Sequence, residues 1–183
     1  MCGRYALYDT SKSQFKIAHN LVGQMKQNEK SAQLKLPLSD KDPKFIQAIL
    51  NESKKVVRYR MGVLIVEHKL GFIHANAGID RSNIDQEQDI VLLLPEDPDE
   101  SAKEISQSLS QFFKKNVSVI ITDTMGRPFR NGIVGFTIGS HNIESILDER
   151  GQKDLYGNEL KVTQIGIADE LAAAASLLMG QAA

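Results

Sequence analysis

A single cysteine in 183 residues builds no internal disulfide. That excludes a disulfide scaffold and suits a cytoplasmic protein. No apolar run approaches the ~18 residues of a membrane span, and the N-terminus lacks a signal peptide's apolar core. With 13 glycines the chain is not collagen-like, and 22 Lys+Arg stand against 23 Asp+Glu. The resulting charge of -1 gives no sign of nucleic acid. Neither GxGxxG nor GxxxxGK[ST] occurs, so the two common phosphate-binding loops are missing. No internal repeat is visible. His19, His68, His74 and His141 lack paired ligand spacing, and no second cysteine is available for a zinc-type site. No Ser–His–Asp arrangement can be read from spacing either.

What is present is a globular composition, 42% hydrophobic and 25% charged, enough for one domain or one domain plus an appendage. The near-neutral total conceals an asymmetry. Residues 1–60 hold twelve Lys+Arg against five Asp+Glu, so the remainder is acidic. Such a split marks two functional units, two pieces of different origin, or a chance cluster of solvated lysines.

Tyr5, Leu7 and Tyr8 suit a short strand, and Phe15, Ile17, Leu21 and Val22 a loose helical face. Gln24 to Gln33 is polar and lysine-rich and reads as a linker, closed by Pro37. Asp42 is placed to cap a helix with Pro43 at its first position, and Phe45, Ile46, Ile49, Val56 and Val57 recur at helical spacing as far as Arg60. Gly62 to Val66 and Leu70 to His74 form a candidate hairpin, and Ile90 to Leu94 a buried strand stopped by Pro95. The acids of residues 96–100 precede a helix whose capping box is Ser101 with Glu104. That helix is expected to bury Ala102, Ile105, Leu109, Phe112 and Phe113. Strands follow at Val117 to Ile121 and Leu160 to Ile167. An Ala-rich helix then runs from about Asp169 to Met179, with Gly180 as its cap. There is no regular βαβ rhythm, so the expected class is α+β, with mixed or antiparallel sheets and flanking helices.

Two segments carry candidate chemistry. Ala75-Asn76-Ala77-Gly78-Ile79-Asp80-Arg81-Ser82-Asn83 follows a strand and combines small residues, a carboxylate and amides. In Ile120-Ile121-Thr122-Asp123-Thr124-Met125-Gly126-Arg127-Pro128-Phe129-Arg130 a hydrophobic strand leads to a carboxylate, a hydroxyl and two arginines. Carboxylate with hydroxyl is the donor set of a hard divalent cation, which takes one or two carboxylates and completes its shell with phosphate and water. Asp80 and Asp123 could share such an ion, with Thr124 auxiliary. Arg127 and Arg130 could clamp a phosphate or carboxylate bidentately. The plain structural alternative is that Asp80 caps a turn, Asp123 ends a strand, and both arginines sit in surface ion pairs. His74 adjoins the first segment and suits a structural role in its strand.

The residues resemble a known family. Gly71-Phe72-Ile73-His74-Ala75-Asn76-Ala77-Gly78-Ile79-Asp80-Arg81-Ser82-Asn83 is similar to a motif of the coenzyme F-420-0:L-glutamate ligase family. So are Leu92-Leu93-Leu94-Pro95-Glu96-Asp97-Pro98, residues 122–130, Arg150-Gly151, Asp154-Leu155-Tyr156-Gly157 and residues 168–175, in order and spacing. The resemblance spans about residues 40 to 183. It implies a cytoplasmic enzyme that spends GTP to add L-glutamate to the lactyl-phosphate side chain of a deazaflavin, coenzyme F-420-0, through an acyl phosphate. It also implies Mg²⁺ or Mn²⁺, as one ion or two, held by Asp80 and Asp123 with Thr124 at a second position. Asn83, Met179, Gly180 and Gln181 would contact the nucleotide, and the molecule would be an intertwined homodimer. Arg127 and Arg130 gain no role from the resemblance.

Family members open with a further nucleotide-binding segment and close with a last strand, so the fold is expected to be the family's, truncated at both ends. Residues 1–39 are then a non-matching segment and 40–183 the ligase domain. Met1-Cys2-Gly3-Arg4-Tyr5-Ala6-Leu7-Tyr8 resembles the start of the SRAP family, which traps abasic sites in single-stranded DNA through such a cysteine. The alternatives to a ligase are therefore an abasic-site DNA-binding module acting through Cys2, or a non-catalytic remnant. An inert Cys2 in an artefactual N-terminus is the plainer reading of those eight residues.

Overall fold

The computed structural model describes residues 42–60, 62–82 and 90–181. Expectations for Cys2, Tyr5 to Tyr8, Phe15 to Val22, Gln24 to Gln33, Pro37 and Asn83 lie outside them. The described chain forms two units. The first lies within residues 42–96 and 125–130, the second within 97–124 and 131–181.

The first unit begins with α1 (Pro43–Asn51). Asp42 caps it as the sequence predicts, its Oδ1 accepting from the Lys44 N–H at 2.9 Å, with Pro43 in the first turn. The helix does not reach Val57. It stops at Glu52, and Ser53 turns its hydroxyl back onto the Ile49 carbonyl at 2.5 Å. Residues from Ser53 onward are extended: β1 (Ser53–Arg60), β2 (Val63–His68) and β3 (Ile73–Ala75) make an antiparallel sheet in that order. Val56 and Val57 fall at helical spacing from Ile49 by coincidence, and their β-branching suits the strand. Two register shifts in β1 further blur its alternation. β2 alternates cleanly, burying Leu64, Val66 and His68.

Phe45, Ile46, Ala48 and Ile49 from the helix meet Leu64 and Val66 from the sheet in one core, joined by Ala77, Ile79 and Val91. Fully burying a side chain such as Ile49 or Leu64 contributes roughly 1.5–3 kcal/mol. The expected strand at 90–94 is reduced to a single bridge between Leu92 and Asp80.

In the second unit α2 (Pro98–Phe113) starts three residues before the expected capping box. Asp97 is the cap, accepting from the Glu100 N–H at 2.9 Å, while Ser101 Oγ donates to the Asp97 carbonyl. The acidic run thus serves the positive end of the helix. Ala102 is buried as expected, Ile105 and Leu109 are half-buried, and Phe112 and Phe113 are exposed, edge to face at 4.9 Å.

β4 (Val119–Arg127) and β5 (Arg130–His141) pair through the two-residue connection Pro128-Phe129, which requires an antiparallel hairpin. Met125–Arg130, the end of that hairpin, groups with the first unit. β5 packs closely on two helices. A Cβ at Gly139 would lie 2.4 Å from the Pro98 backbone, and one at Gly135 would lie 2.6 Å from the Ala172 carbonyl oxygen. Carboxylates in the first turns of both helices complete the docking. Asp99 accepts from the Ser140 N–H and Asp169 from the Thr137 N–H, each at 2.8 Å.

A ribbon follows, flanked by β6 (Leu147–Asp148) and β7 (Gln164–Ile165). The long strand expected at 160–167 is only this short piece, because residues 149–160 bond within the ribbon: Gly151 N–H to Leu160 O and Asp154 N–H to Asn158 O, both 2.8 Å. α3 (Ile167–Met179) ends at Gly180 with φ 65°, as its sequence predicts. The class is α+β, with antiparallel sheets and helices beside them.

Candidate functional site

Asp80 is reached through an unusual piece of backbone. Asn76, Ala77 and Gly78 follow β3 with φ of 50°, 55° and 66°, three left-handed residues in succession. Each non-glycine residue in that region costs roughly 1–2 kcal/mol. The surroundings hold the turn. Ala77 is fully buried in the core, the Ile79 N–H donates to the Asn76 carbonyl at 3.1 Å, and Asn76 Oδ1 accepts from the Leu64 N–H at 3.0 Å. The small residues therefore serve the core and the turn, a requirement that residue size alone does not reveal.

Asp80 comes next, 5% exposed. Its main chain exchanges two hydrogen bonds with Leu92, at 3.1 and 3.0 Å. Its carboxylate accepts from Ser82 N–H at 2.7 Å and from Ser82 Oγ at 2.8 Å. Asp80 does cap a turn, and each of its oxygens still has a second lone pair for a ligand. Arg81 places its guanidinium 5.2 Å from the Phe45 ring centre. His74 is a core histidine: it is buried, its Nδ1–H donates to the Ala75 carbonyl at 2.9 Å, and Phe72 meets it edge-on.

Asp123 does not end its strand; β4 continues through it for four more residues. Ile121 to Thr124 are buried one after another, so both faces of the strand are covered here. Asp123 is 1% exposed and Thr124 5%. Asp123 Oδ1 accepts from the Thr124 N–H at 2.7 Å. A charged carboxylate in such a place requires compensation by donors or by a cation. Adjacent strand residues project to opposite faces, so the Asp123 and Thr124 side chains address different sides of the sheet.

Arg127 and Arg130 flank the Pro128-Phe129 turn, Arg127 half-buried and Arg130 exposed. Phe129 between them has φ 57° and is fully exposed. Met179 closes α3, and the Gly180 N–H bonds to the Ser176 carbonyl at 3.1 Å, with Gln181 exposed after it. This is the carbonyl end of a helix, so its dipole gives no help to a phosphate. Asp80, Arg127 and Arg130 belong to the first unit; Asp123, Thr124, Met179, Gly180 and Gln181 belong to the second. Among the described residues no group of three or more His, Cys, Asp or Glu side chains forms a metal cage. A magnesium-type centre needs fewer protein ligands than that. No described helix is long and apolar enough to cross a membrane.

Residues 10–183 match the family model described as F420-0:Gamma-glutamyl ligase. The chain belongs to that family. The match includes residues 10–39, which the motifs quoted above do not reach. The chain is 47% identical over 142 residues to the coenzyme F420:L-glutamate ligase of Methanocaldococcus jannaschii, covering 78% of this chain and 56% of that protein. Identity and coverage are the same for the protein of that name from Methanothermobacter thermautotrophicus. For that of Archaeoglobus fulgidus the figure is 48% over 141 residues, covering 77% and 55%. The chain thus spans about half the length of the curated relatives it matches.

Proposed function

We propose that this chain carries coenzyme F420:L-glutamate ligase chemistry, forming an amide between the carboxylate of a deazaflavin side chain, that of coenzyme F-420-0, and L-glutamate, and extending it through γ-glutamyl bonds. What carries the reading is 47% identity over 142 residues to proteins of that name. The buried carboxylates support it. GTP is the proposed phosphoryl donor: its γ-phosphate passes to the acceptor carboxylate, GDP leaves, and the glutamate amine displaces phosphate from the resulting acyl phosphate.

The donor set fits Mg²⁺ or Mn²⁺. Asp80 and Asp123 offer hard carboxylate oxygens and Thr124 a hydroxyl, with no soft ligand among them. Because Asp123 and Thr124 project to opposite faces of β4, they would serve two separate ion positions. A bound divalent ion supplies charge neutralisation where two anions must meet. The remaining work falls to the chain. Arg127 and Arg130, on either side of a two-residue turn, would orient phosphate or carboxylate oxygens through their planar forks. Asn83, Met179, Gly180 and Gln181 would contact the nucleotide, although the Gly180 N–H is already bonded to the Ser176 carbonyl. Leu155, Tyr156, Leu177 and Leu178 are each more than four-fifths exposed and supply apolar surface for a homodimer to cover.

Purified protein given GTP, Mn²⁺, L-glutamate and the deazaflavin acceptor should yield a product heavier by one glutamyl residue in mass spectrometry, with GDP formed alongside. Acceptor returned unchanged under those conditions overturns the reading for this chain.

A further inference from the structure

One of the restraints on the left-handed turn before Asp80 is a side chain that reaches back into the sheet. The ladder between β2 and β3 stops at the Ile65–Ala75 pair. Beyond it the main chain turns away, and the Leu64 N–H would lose its acceptor. Asn76 Oδ1 takes that place at 3.0 Å, twelve residues from its partner. Asn76 itself sits at φ 50°, a conformation asparagine tolerates better than other residues with a side chain. Three residues on, the Ile79 N–H closes the turn onto the Asn76 carbonyl, and Asp80 follows directly, its main chain pinned to Leu92.

We propose that Asn76 is a positioning residue for the Asp80 carboxylate. By replacing the strand's next acceptor it fixes where the left-handed turn begins, and so where Asp80 is delivered. The inference rests on the reading of Asp80 as a divalent-cation ligand. It adds a residue that touches neither cation nor substrate. Leu64, fully buried, anchors the other end of the bond, so the Asn76 amide ties the start of the turn to the core.

The probe is Mn²⁺ alone, with its binding to the full chain followed by the loss of the free-ion electron paramagnetic resonance signal. Asn76→Ala should weaken Mn²⁺ binding by about tenfold or more, the range seen when groups orienting a metal ligand are removed. Asn76→Asp keeps both the acceptor and the tolerance of positive φ, and should stay within about threefold of the parent. Gln47→Ala is the structural control. Gln47 is 4% exposed in the same unit and bonds to Asn51, so its loss should lower the unfolding temperature and leave Mn²⁺ affinity unchanged.

If Asn76→Ala does not fold, Asn76→Gly replaces it. Glycine suits the turn and lacks the acceptor, and should show the same weakening. Equal affinity in the parent and the folded Ala or Gly variant overturns the proposal, as does an equal loss in Gln47→Ala. Asp80→Asn separates the two levels. If it weakens Mn²⁺ binding while the Asn76 variants do not, only the positioning role falls. If it leaves binding unchanged, the ligand role of Asp80 falls and the positioning role with it.

Discussion

Asp80 and Asp123 are both buried carboxylates, 5% and 1% exposed, yet the protein holds them in place by opposite means. Asp80 stands at the end of a strained loop, after three left-handed residues, with its carboxylate bonded to Ser82 and its main chain to Leu92. Asp123 stands inside a nine-residue strand, one of four consecutive buried positions. The first location depends on a few local bonds and on residues that accept positive φ. The second depends on the packing of a sheet, which two glycines of β5 bring against two helices. Small local changes should therefore disturb Asp80, whereas Asp123 should move only when the sheet's packing fails.

Ala77→Val is the sharpest way to break the loop side of this contrast. The position has φ 55° and no exposure, so a β-branched side chain meets both backbone strain and a filled core. We expect a loss of about 3 kcal/mol or more in urea unfolding, combining overpacking and left-handed strain. Ala77→Gly should lie within about 1 kcal/mol of the parent, because relief of strain offsets the lost methyl group. If valine is tolerated as well as glycine, the turn is not the constraint.

On the sheet side, Gly139→Ala places a methyl group 2.4 Å from the Pro98 backbone and should cost about 2 kcal/mol. Gly126→Ala, on the partner strand with nothing within 4 Å, should cost under about 0.5 kcal/mol. Equal midpoints for the two would show that β5 does not need its close approach to α2.

The smallest effect concerns the ribbon that leads out from β6. Hydrogen bonds from Arg150 hold the Asp148 carboxyl down to about 2, from an ordinary 3.8. A lowered folded value means that the contribution to stability is fully present above pH 3.8 and is lost as pH falls through about 2. An NMR titration of the Asp148 carboxyl carbon should therefore show no transition between pH 4 and 8 and a midpoint near 2. A midpoint near 3.8 would show that the Arg150 contact does not persist in solution.

The same contrast explains which parts could be read from sequence. Asp42 with Pro43, the β2–β3 hairpin, and α3 with Gly180 are local signals, complete within a few residues, and the structure forms them as predicted. Asp80 and Asp123 were legible as carboxylates beside strands because hydrophobic runs lead into them. The left-handed turn was not, since only Leu64, twelve residues away, shows what Asn76 is for. Nor was the end of α1, where valines at helical spacing belong to a strand. Asp97 caps α2 although Ser101 and Glu104, four residues further on, match a more familiar capping pattern. Phe112 and Phe113 follow the helical period but stand exposed at the last turn of α2. Nothing in the sequence around Gly135 and Gly139 marks them, and only the helices packed on them give them a purpose.

The most direct test is a Mn²⁺ titration of the parent chain and Asp123→Asn, followed by electron paramagnetic resonance, with unfolding temperature measured on the same samples. Asparagine keeps the side chain's shape and removes its charge. A bound Mn²⁺ population in the parent, weakened by about a hundredfold in the variant with the unfolding temperature kept, is the expected result for a lost carboxylate ligand. Equal Mn²⁺ affinity in the two proteins would contradict the assignment of Asp123 as a cation ligand.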